Sequence, residues 1–353
     1  MRAAVYTGPG RLEIRQVPVP RIEPGELLVR VEACGICHTD LKKIEYGLLP
    51  APRIFGHEIA GVVAAAGEGV SEFRPGDRVV VFHHVPCRDC FYCRRKLYAQ
   101  CSTYKRVGLT AGFEPAGGGF AQYVRVLPWI VPAGVERIPE GVSFERASLV
   151  EPVNTCHKAV EQLDPQPGDV VLILGQGPIG LLFTMLARRR GATVVASETM
   201  ARRRLLSLAA GAMECWDPRS RDVAAEARRL TQGRGADGVI VAVSAEGIVE
   251  QAVAASRPGS RILLFSQTSQ QETVRLPGAE LCVGERTLLG SYSASIDLQR
   301  ESARLVFEGE LPVEGLISHR LPLEQIARGM ELALHPDEKS LKIVVQPQQR
   351  GTP

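Results

Sequence analysis

The sequence predicts an α/β protein with two domains, one β-rich and one built on a doubly wound parallel sheet. The chain has 353 residues, and at about 100–200 residues per domain this length suggests two domains. Near Glu151 and Pro152 the pattern changes from short strands separated by turns to strands that alternate with helices. Hydrophobic residues make up 45% of the chain and charged residues 23%, which is typical of globular proteins and excludes a largely disordered chain.

The β-rich domain is indicated by short runs of strand-forming residues in the first part of the chain. Residues 26–32 and 77–82 are the clearest of these runs. Turn-forming sequences separate them, namely Pro24-Gly25, Pro75-Gly76 and Gly117-Gly118-Gly119. Many short strands between such turns predict a β-barrel-like domain.

The parallel sheet is indicated by apolar strands that alternate with helices. The predicted strands are residues 169–174, 193–197, 239–243 and 261–265, and the predicted helices are residues 178–190 and 201–210. Such alternation implies parallel strands with right-handed crossovers.

The tail after about residue 292 has amphipathic helices at 298–308 and 323–334 and a strand at 341–345. It is too short for a domain, so we expect it to pack onto the first one. We therefore assign residues 1–153 and 292–353 to the β-rich domain and residues 154–291 to the parallel-sheet domain.

Charge and hydropathy exclude several classes of protein. The chain has 42 Lys+Arg and 39 Asp+Glu, a net charge of +3, which is too small for an electrostatic nucleic-acid surface. It contains no apolar run of about 18 residues and no signal-peptide core, so we expect no membrane partner and a cytoplasmic location. In a reducing cytosol, clustered members of the nine cysteines are candidates for metal binding or catalysis.

A dinucleotide site is predicted at Gly175-Gln176-Gly177-Pro178-Ile179-Gly180. This GxGxxG follows a predicted strand and opens a helix. Gly175 allows the tight turn, Gly177 lets the backbone approach a pyrophosphate, and Gly180 permits close packing of helix and strand. The helix N-terminus would supply N–H groups to the phosphates. The alternative is a glycine turn in another kind of βαβ unit.

The form of the cofactor is indicated by Glu198, which ends the strand after the glycine motif. A carboxylate there would accept hydrogen bonds from the ribose hydroxyls of NAD and repel the 2′-phosphate of NADP. Arg202, Arg203 and Arg204 follow, and one of them could instead bind that phosphate. We favour NAD because the carboxylate is at the strand end and the arginines lie in the next helix.

A metal-binding cluster is predicted from Cys87, Cys90, Cys93 and Cys101. Four thiolates can fill all four positions of a tetrahedral Zn²⁺, which makes such a site structural. An iron–sulfur cluster and unligated buried thiols are the alternatives.

Candidates for a second, catalytic metal site are scattered along the chain. Cys37, His57 with Glu58, and Glu151 would supply one thiolate, one imidazole and a carboxylate, a plausible Zn²⁺ site with an open position. Taken singly, each also fits an ordinary structural role, such as a hydrogen-bonded core histidine.

Together these motifs resemble the medium-chain, zinc-dependent alcohol dehydrogenases. The segment Gly56-His57-Glu58-Ile59-Ala60-Gly61, with Gly67 after five more residues, is similar to the zinc signature of that family. The cysteine cluster, residues 118–123, Glu151-Pro152 and the glycine motif follow in the family's order, so the resemblance covers essentially the whole chain. It implies a GroES-like catalytic domain formed from both chain ends, a Rossmann domain between them, and an active site in the cleft.

The resemblance also implies roles for single residues. Cys37 and His57 match catalytic zinc ligands. Glu151 matches the third ligand as the sorbitol and threonine dehydrogenase branch has it, and Glu58 matches an acidic residue that binds the metal directly or through water. Thr39 matches the hydroxyl that relays the substrate proton, and His38 a basic residue that contacts cofactor phosphate or extends the relay.

The implied activity is the NAD-linked oxidation of a secondary alcohol or polyol to a ketone, with the alcohol deprotonated on zinc and hydride passed to the nicotinamide. The implied cofactors are two Zn²⁺ per chain and NAD, and the implied assembly is a homodimer or homotetramer. A primary-alcohol/aldehyde, threonine or sugar-phosphate dehydrogenase on the same scaffold is the first alternative. A non-catalytic protein that binds zinc and nucleotide is the second.

Overall fold

The chain divides into two compact units. The computed structural model describes residues 1–266 and 273–349, so the parts of the predicted domains at 267–272 and 350–353 lie outside the described residues. The first unit is Met1–Asn154 together with the described residues from Ala294 onward, and the second is Thr155–Ser293. The boundaries proposed from the sequence, 153/154 and 291/292, lie one and two residues from these divisions.

The strands and helices are numbered here in chain order. The strands are β1 Arg2–Gly8, β2 Arg11–Gln16, β3 Leu27–Gly35, β4 Glu58–Ala66, β5 Arg78–Val81, β6 Leu109–Thr110, β7 Tyr123–Val126, β8 Val135–Arg137, β9 Val170–Leu174, β10 Thr193–Ser197, β11 Glu214–Trp216, β12 Ala236–Val241, β13 Ser256–Leu264, β14 Thr287–Gly290, β15 Ile317–Pro322 and β16 Lys342–Gln346. The α-helices are α1 His38–Glu45, α2 Ser102–Lys105, α3 Val131–Gly134, α4 Phe144–Ser148, α5 Val150–Leu163, α6 Pro178–Arg189, α7 Ala201–Ala209, α8 Val223–Leu230, α9 Ile248–Ala255, α10 Gly278–Cys282, α11 Gln299–Phe307 and α12 Ile326–Leu334.

The first unit is built around β3, which pairs with three strands. It pairs along its whole length with β4, its first half also pairs with β7, and its last residues pair with β16. The eight-stranded sheet continues from β16 to β15 at one edge and from β4 through β5 to β8 at the other. Because β16 belongs to the C-terminal tail, the tail completes the sheet that the N-terminal part begins. The predicted β-rich domain is thus confirmed.

The second unit contains six parallel strands in the order β11-β10-β9-β12-β13-β14. Counted from β9, this is the order 3-2-1-4-5-6 of the doubly wound dinucleotide-binding fold, in which ligands bind where the strand order reverses. The reversal lies between β9 and β12, and the glycine motif directly follows β9. The predicted parallel sheet is confirmed.

Several elements differ from the sequence-based expectation. β13 begins at Ser256 instead of residue 261 because the segment with Pro258 and Gly259 joins the strand despite its turn-like composition. The strands β11 and β14 and the helices α8 and α9 were not predicted. Within residues 1–266 and 273–349, no helix is long and apolar enough to cross a membrane.

Candidate metal centres and dinucleotide site

The four predicted cysteines lie together in the first unit. The sulfur atoms of Cys87, Cys90, Cys93 and Cys101 are all within 4.8 Å of one another. The Sγ–Sγ distances are 3.5 Å for Cys90–Cys93, 3.6 Å for Cys101–Cys87 and 3.9 Å for Cys87–Cys93. Four sulfurs at about 2.3 Å from one Zn²⁺ would be about 3.8 Å apart in a tetrahedron, whereas a disulfide needs about 2.05 Å. The spacing therefore fits one tetrahedral metal ion.

The backbone around Cys87 favours its thiolate form. Arg88, directly after Cys87, and Lys96, at the end of the turn that begins at Cys93, have left-handed backbones with φ of 63° and 58°. Hydrogen bonds from the backbone N–H groups of Asp89 and Cys90 lower the pKa of the Cys87 thiol. The thiolate is the form that binds metal. These hydrogen bonds therefore favour the form of Cys87 that can act as a ligand.

A second donor group contains Cys37, His57 and Glu58. Their donor atoms lie within 4.8 Å of one another. Cys37 directly precedes α1 shortly after the end of β3, and Glu58 opens β4, which pairs with β3 so that Gly35 is opposite Glu58. A Cβ at Gly35 would be 1.8 Å from Glu58 Oε2. The glycine thus leaves the room that this carboxylate needs.

Glu151, in the first turn of α5, also lies close to His57. Its carboxylate, one ring nitrogen of His57 and one of His83 lie within 4.8 Å of one another. Burial raises the pKa of Glu151 to about 7, and the charge of Glu58 adds to the rise although His57 opposes it. The structure therefore brings the three other predicted ligands close to His57, but Cys37 and Glu151 lie in different groups of three donors.

Asp40, which was not among the predicted site residues, contacts the predicted ligand His57. Its Oδ2 lies 2.9 Å from His57 Nδ1 and accepts a hydrogen bond from the Gly56 N–H at 3.1 Å. Burial lowers the pKa of His57, but the Asp40 carboxylate and the Cys37 sulfur outweigh this effect and raise it. A carboxylate on one ring nitrogen fixes the imidazole and leaves the other nitrogen for a metal. The spacing of three residues from Cys37, one helical turn, is the signal that could have identified Asp40.

Lys342 is a second residue that the sequence analysis missed. Its Nζ lies 2.6 Å from Glu58 Oε1 and 2.5 Å from Oε2, and it donates to the Ile36 carbonyl at 2.9 Å. Both side chains of the pair are almost completely buried. Because Lys342 is 284 positions from Glu58 in the chain, no local pattern could have indicated the contact.

The two predicted relay residues, Thr39 and His38, follow Cys37 in the chain but belong to neither group of donors that contains His57. Thr39 is half-buried and His38 is exposed, and both are in the first turn of α1 next to Cys37. Exposure therefore increases along the helix from the buried Asp40 through Thr39 to His38.

The predicted dinucleotide site lies in the second unit, where Gly175, Gly177 and Gly180 differ in their surroundings. Gly175 has φ of +92°, and a Cβ on Gly180 would be 2.0 Å from the Gly175 carbonyl oxygen. Gly177 is different, because the nearest atom to its Cβ position is Arg203 Nη1 at 3.7 Å. Gly177 directly precedes α6, whose first residues are Pro178 and Ile179. The motif is therefore closely packed at Gly175 and Gly180 and open at Gly177, where the helix begins. Pyrophosphate binding requires this arrangement.

Glu198 is held at the end of β10. Its carboxylate accepts hydrogen bonds from the backbone N–H groups of Gln176 at 2.8 Å and Met200 at 2.9 Å. Because Gln176 belongs to the glycine motif, these bonds fix the carboxylate beside the turn. Arg204 donates to the Glu198 and Thr199 carbonyls at 3.0 Å and 2.6 Å, which secures the loop after the strand.

Comparisons with known proteins agree with this architecture. Residues 23–134 match the alcohol dehydrogenase GroES-like domain, and residues 178–308 match the zinc-binding dehydrogenase model. The chain is 29% identical to (R,R)-butanediol dehydrogenase of Neisseria gonorrhoeae over 98% of its length and 99% of the relative's. It is also 29% identical to sorbitol dehydrogenase of Bacillus subtilis, with 98% and 97% covered.

A solved structure of a zinc-binding dehydrogenase from Sinorhizobium meliloti bound to NADP superimposes with a TM-score of 0.87 at 30% identity, covering 98% of this chain and 99% of that one. The domain matches, the full-length relatives and the fold point to one family. The chain belongs to the zinc-dependent medium-chain alcohol dehydrogenases, oxidoreductases that act on CH–OH groups.

Proposed function

We propose that this protein oxidises a secondary alcohol or polyol to a ketone with NAD as the hydride acceptor. The observation that carries the proposal is the donor set around His57, which combines a thiol, an imidazole and carboxylates in the first unit. The butanediol and sorbitol dehydrogenases among the relatives support the substrate class, since both named substrates carry more than one hydroxyl.

The donor atoms fit Zn²⁺ at two places, because this ion prefers sulfur, nitrogen and oxygen ligands. The four clustered cysteines would hold a structural ion, and Cys37, His57 and Glu151 would hold a catalytic one with Glu58 beside it. A catalytic Zn²⁺ would supply Lewis acidity that makes an alcohol hydroxyl acidic near neutral pH, just as Zn²⁺ lowers the pKa of water to about 7.

The residues around the donor set have separate tasks in this proposal. Asp40 holds the His57 ring in one orientation. Lys342 forms an ion pair with the buried Glu58 carboxylate and so compensates the negative charge of Glu58 in the core. Thr39 takes the proton from the substrate hydroxyl and passes it towards solvent by way of the exposed His38, a hydrogen-bonded relay of the kind used in general acid–base catalysis.

The second unit binds the cofactor in this proposal. Gly177 and the N-terminus of α6 receive the pyrophosphate, and Glu198 accepts hydrogen bonds from the adenosine ribose. By the family resemblance, we also propose a homodimer or homotetramer.

A substrate screen tests the proposed function. We expect NADH formation, followed by its absorbance, with polyols and secondary alcohols in the presence of NAD. Weaker turnover is expected with primary alcohols, threonine and sugar phosphates, and with NADP. A clear preference for one of these other classes would replace the proposed substrate, and no turnover with any of them would contradict the proposed activity.

Replacing Glu198 with glutamine tests the cofactor assignment. The change removes the negative charge and weakens the charge-assisted hydrogen bonds to the ribose, so we expect kcat/KM with NAD to fall about tenfold or more. The loss with NADP should be smaller, because the repulsion of its phosphate also disappears. Glu226→Gln, which removes a carboxylate from the surface ion pairs of α8, is the matched control. Equal losses with NAD and NADP would argue against a ribose contact.

A further inference from the structure

His83 lies at the candidate metal centre although none of the motifs includes it. It follows β5, and its carbonyl accepts a hydrogen bond from the Gly108 N–H at 2.9 Å. Its ring centroid is 4.5 Å from that of His57. One of its ring nitrogens is within 4.8 Å of donor atoms of both His57 and Glu151. The side chain therefore faces the same small volume as two of the proposed ligands.

The imidazole of His83 is buried and is not fully hydrogen-bonded. Only 9% of the residue is exposed, and within the described part of the chain its Nδ1 has no hydrogen-bond partner. A molecule bound beside His57 and Glu151 would contact the His83 ring nitrogen that lies near them. An imidazole nitrogen donates a hydrogen bond to a hydroxyl group or accepts one from it, depending on the tautomer.

The ring of His83 is held in place by a stack of aromatic side chains. Its centroid is 3.9 Å from that of His84, which is stacked on Tyr104 at 4.9 Å with an interplanar angle of 28°. The Tyr104 hydroxyl donates to the Ala294 carbonyl at 3.0 Å, and Tyr104 packs with Cys93 and Cys101 of the cysteine cluster. The stack therefore runs from the cysteine cluster to His57 and restricts the rotation of His83.

We propose that His83 is a specificity residue that hydrogen-bonds a second hydroxyl group, on the carbon next to the one that is oxidised. The inference rests on the proposed function and names its preferred substrates as vicinal diols and polyols. When the reacting hydroxyl is held beside His57 and Glu151, the next hydroxyl of such a substrate comes within reach of His83. A simple alcohol has no second hydroxyl to bond to the imidazole, and sites built to pair with a hydroxyl discriminate against substrates that lack it.

The variant His83→Phe tests this inference with 2,3-butanediol and 2-butanol, which differ by one hydroxyl. Phenylalanine keeps a ring for the stack and removes both nitrogens. We expect the ratio of kcat/KM for the diol to that for the simple alcohol to fall about tenfold, the loss of one good hydrogen bond. His335→Phe makes the same exchange at an exposed histidine outside the stack and the donor groups, and it should leave the ratio unaltered. His83→Gln, which keeps a hydrogen-bonding amide, should give an intermediate ratio.

Two further measurements separate this role from the alternatives. Zinc content should stay at the wild-type value in His83→Phe, and a loss of one zinc would overturn the inference because His83 would then be a metal ligand. Binding of 2,3-butanediol to the cobalt-substituted protein, followed by the visible absorption of cobalt, should weaken about tenfold in His83→Phe. Equal affinity of the wild type and His83→Phe for the diol would overturn the inference. A wild type that oxidises no alcohol would contradict only the proposed function, because the binding measurement does not depend on turnover.

Discussion

Replacing Cys37 with serine is expected to lower kcat/KM for alcohol oxidation by about a thousandfold or more. The change removes the thiolate from the donor set around His57, and metal-ion catalysis contributes several kcal/mol to the stabilisation of the transition state. The fold should be unaffected. Cys37 occupies the N-cap position of α1 without a side-chain capping bond, and serine is among the residues preferred there.

The zinc content of Cys37→Ser distinguishes a lost ligand from a general loss of structure. We expect metal analysis to give about two zincs per chain for the wild type and one for the variant, because the cysteine cluster keeps its four sulfurs. Cys282→Ser is the control, since Cys282 is exposed on α10 and belongs to neither donor group. Undiminished activity, or two zincs in Cys37→Ser, would exclude the assigned ligand set.

Replacing Cys87 with serine is expected to empty the structural site and to lower the free energy of unfolding by about 3 kcal/mol or more. The binding energy of a structural zinc contributes directly to folding, and the sulfur of Cys87 lies 3.6 Å from Cys101 and 3.9 Å from Cys93. Because Cys87 is exposed, the substitution buries no new hydroxyl. The midpoint of thermal unfolding should fall by about 5–10 °C.

Zinc stoichiometry again provides the decisive measurement for this prediction. Cys87→Ser should retain one zinc, Cys37→Ser should retain one, and the double variant should retain none, since the two sites share no ligand. The same exposed Cys282→Ser variant serves as control for the unfolding measurements. Full zinc content and an unchanged unfolding midpoint in Cys87→Ser would show that the cluster holds no structural ion.

The second unit follows the sequence-based prediction closely because its strands are continuous apolar segments. β10 runs from Thr193 to Ser197 as predicted, and the helix predicted at 178–190 is α6, Pro178–Arg189. The two missed strands are short, since β11 has three residues and β14 has four. The start of β13, which was also missed, contains Arg257, Pro258 and Gly259, so partners in the sheet, rather than local preference, make these segments strands.

The donor residues were predictable because their chemistry and order in the chain are distinctive. Their grouping was not. The sequence suggested Cys37, His57, Glu58 and Glu151 as one ligand set, and the structure distributes them over two groups of three donors that share His57, with Cys37 and Glu58 in one and Glu151 in the other. The group of Glu151 also contains His83, which belongs to no ligand motif.

The sequence by itself determined the two kinds of domain, because each has its own pattern of strands and helices. It also determined the glycine turn, the four-cysteine cluster and the types of donor residue, because short segments of the chain contain each of them. Only the tertiary structure decided which groups support those donors. Pairing of β16 with β3 brings Lys342 to Glu58 across 284 positions, and the aromatic stack brings His83 to His57. Such contacts depend on strand register and side-chain packing between distant segments, which leave no periodic signal in the residues that make them.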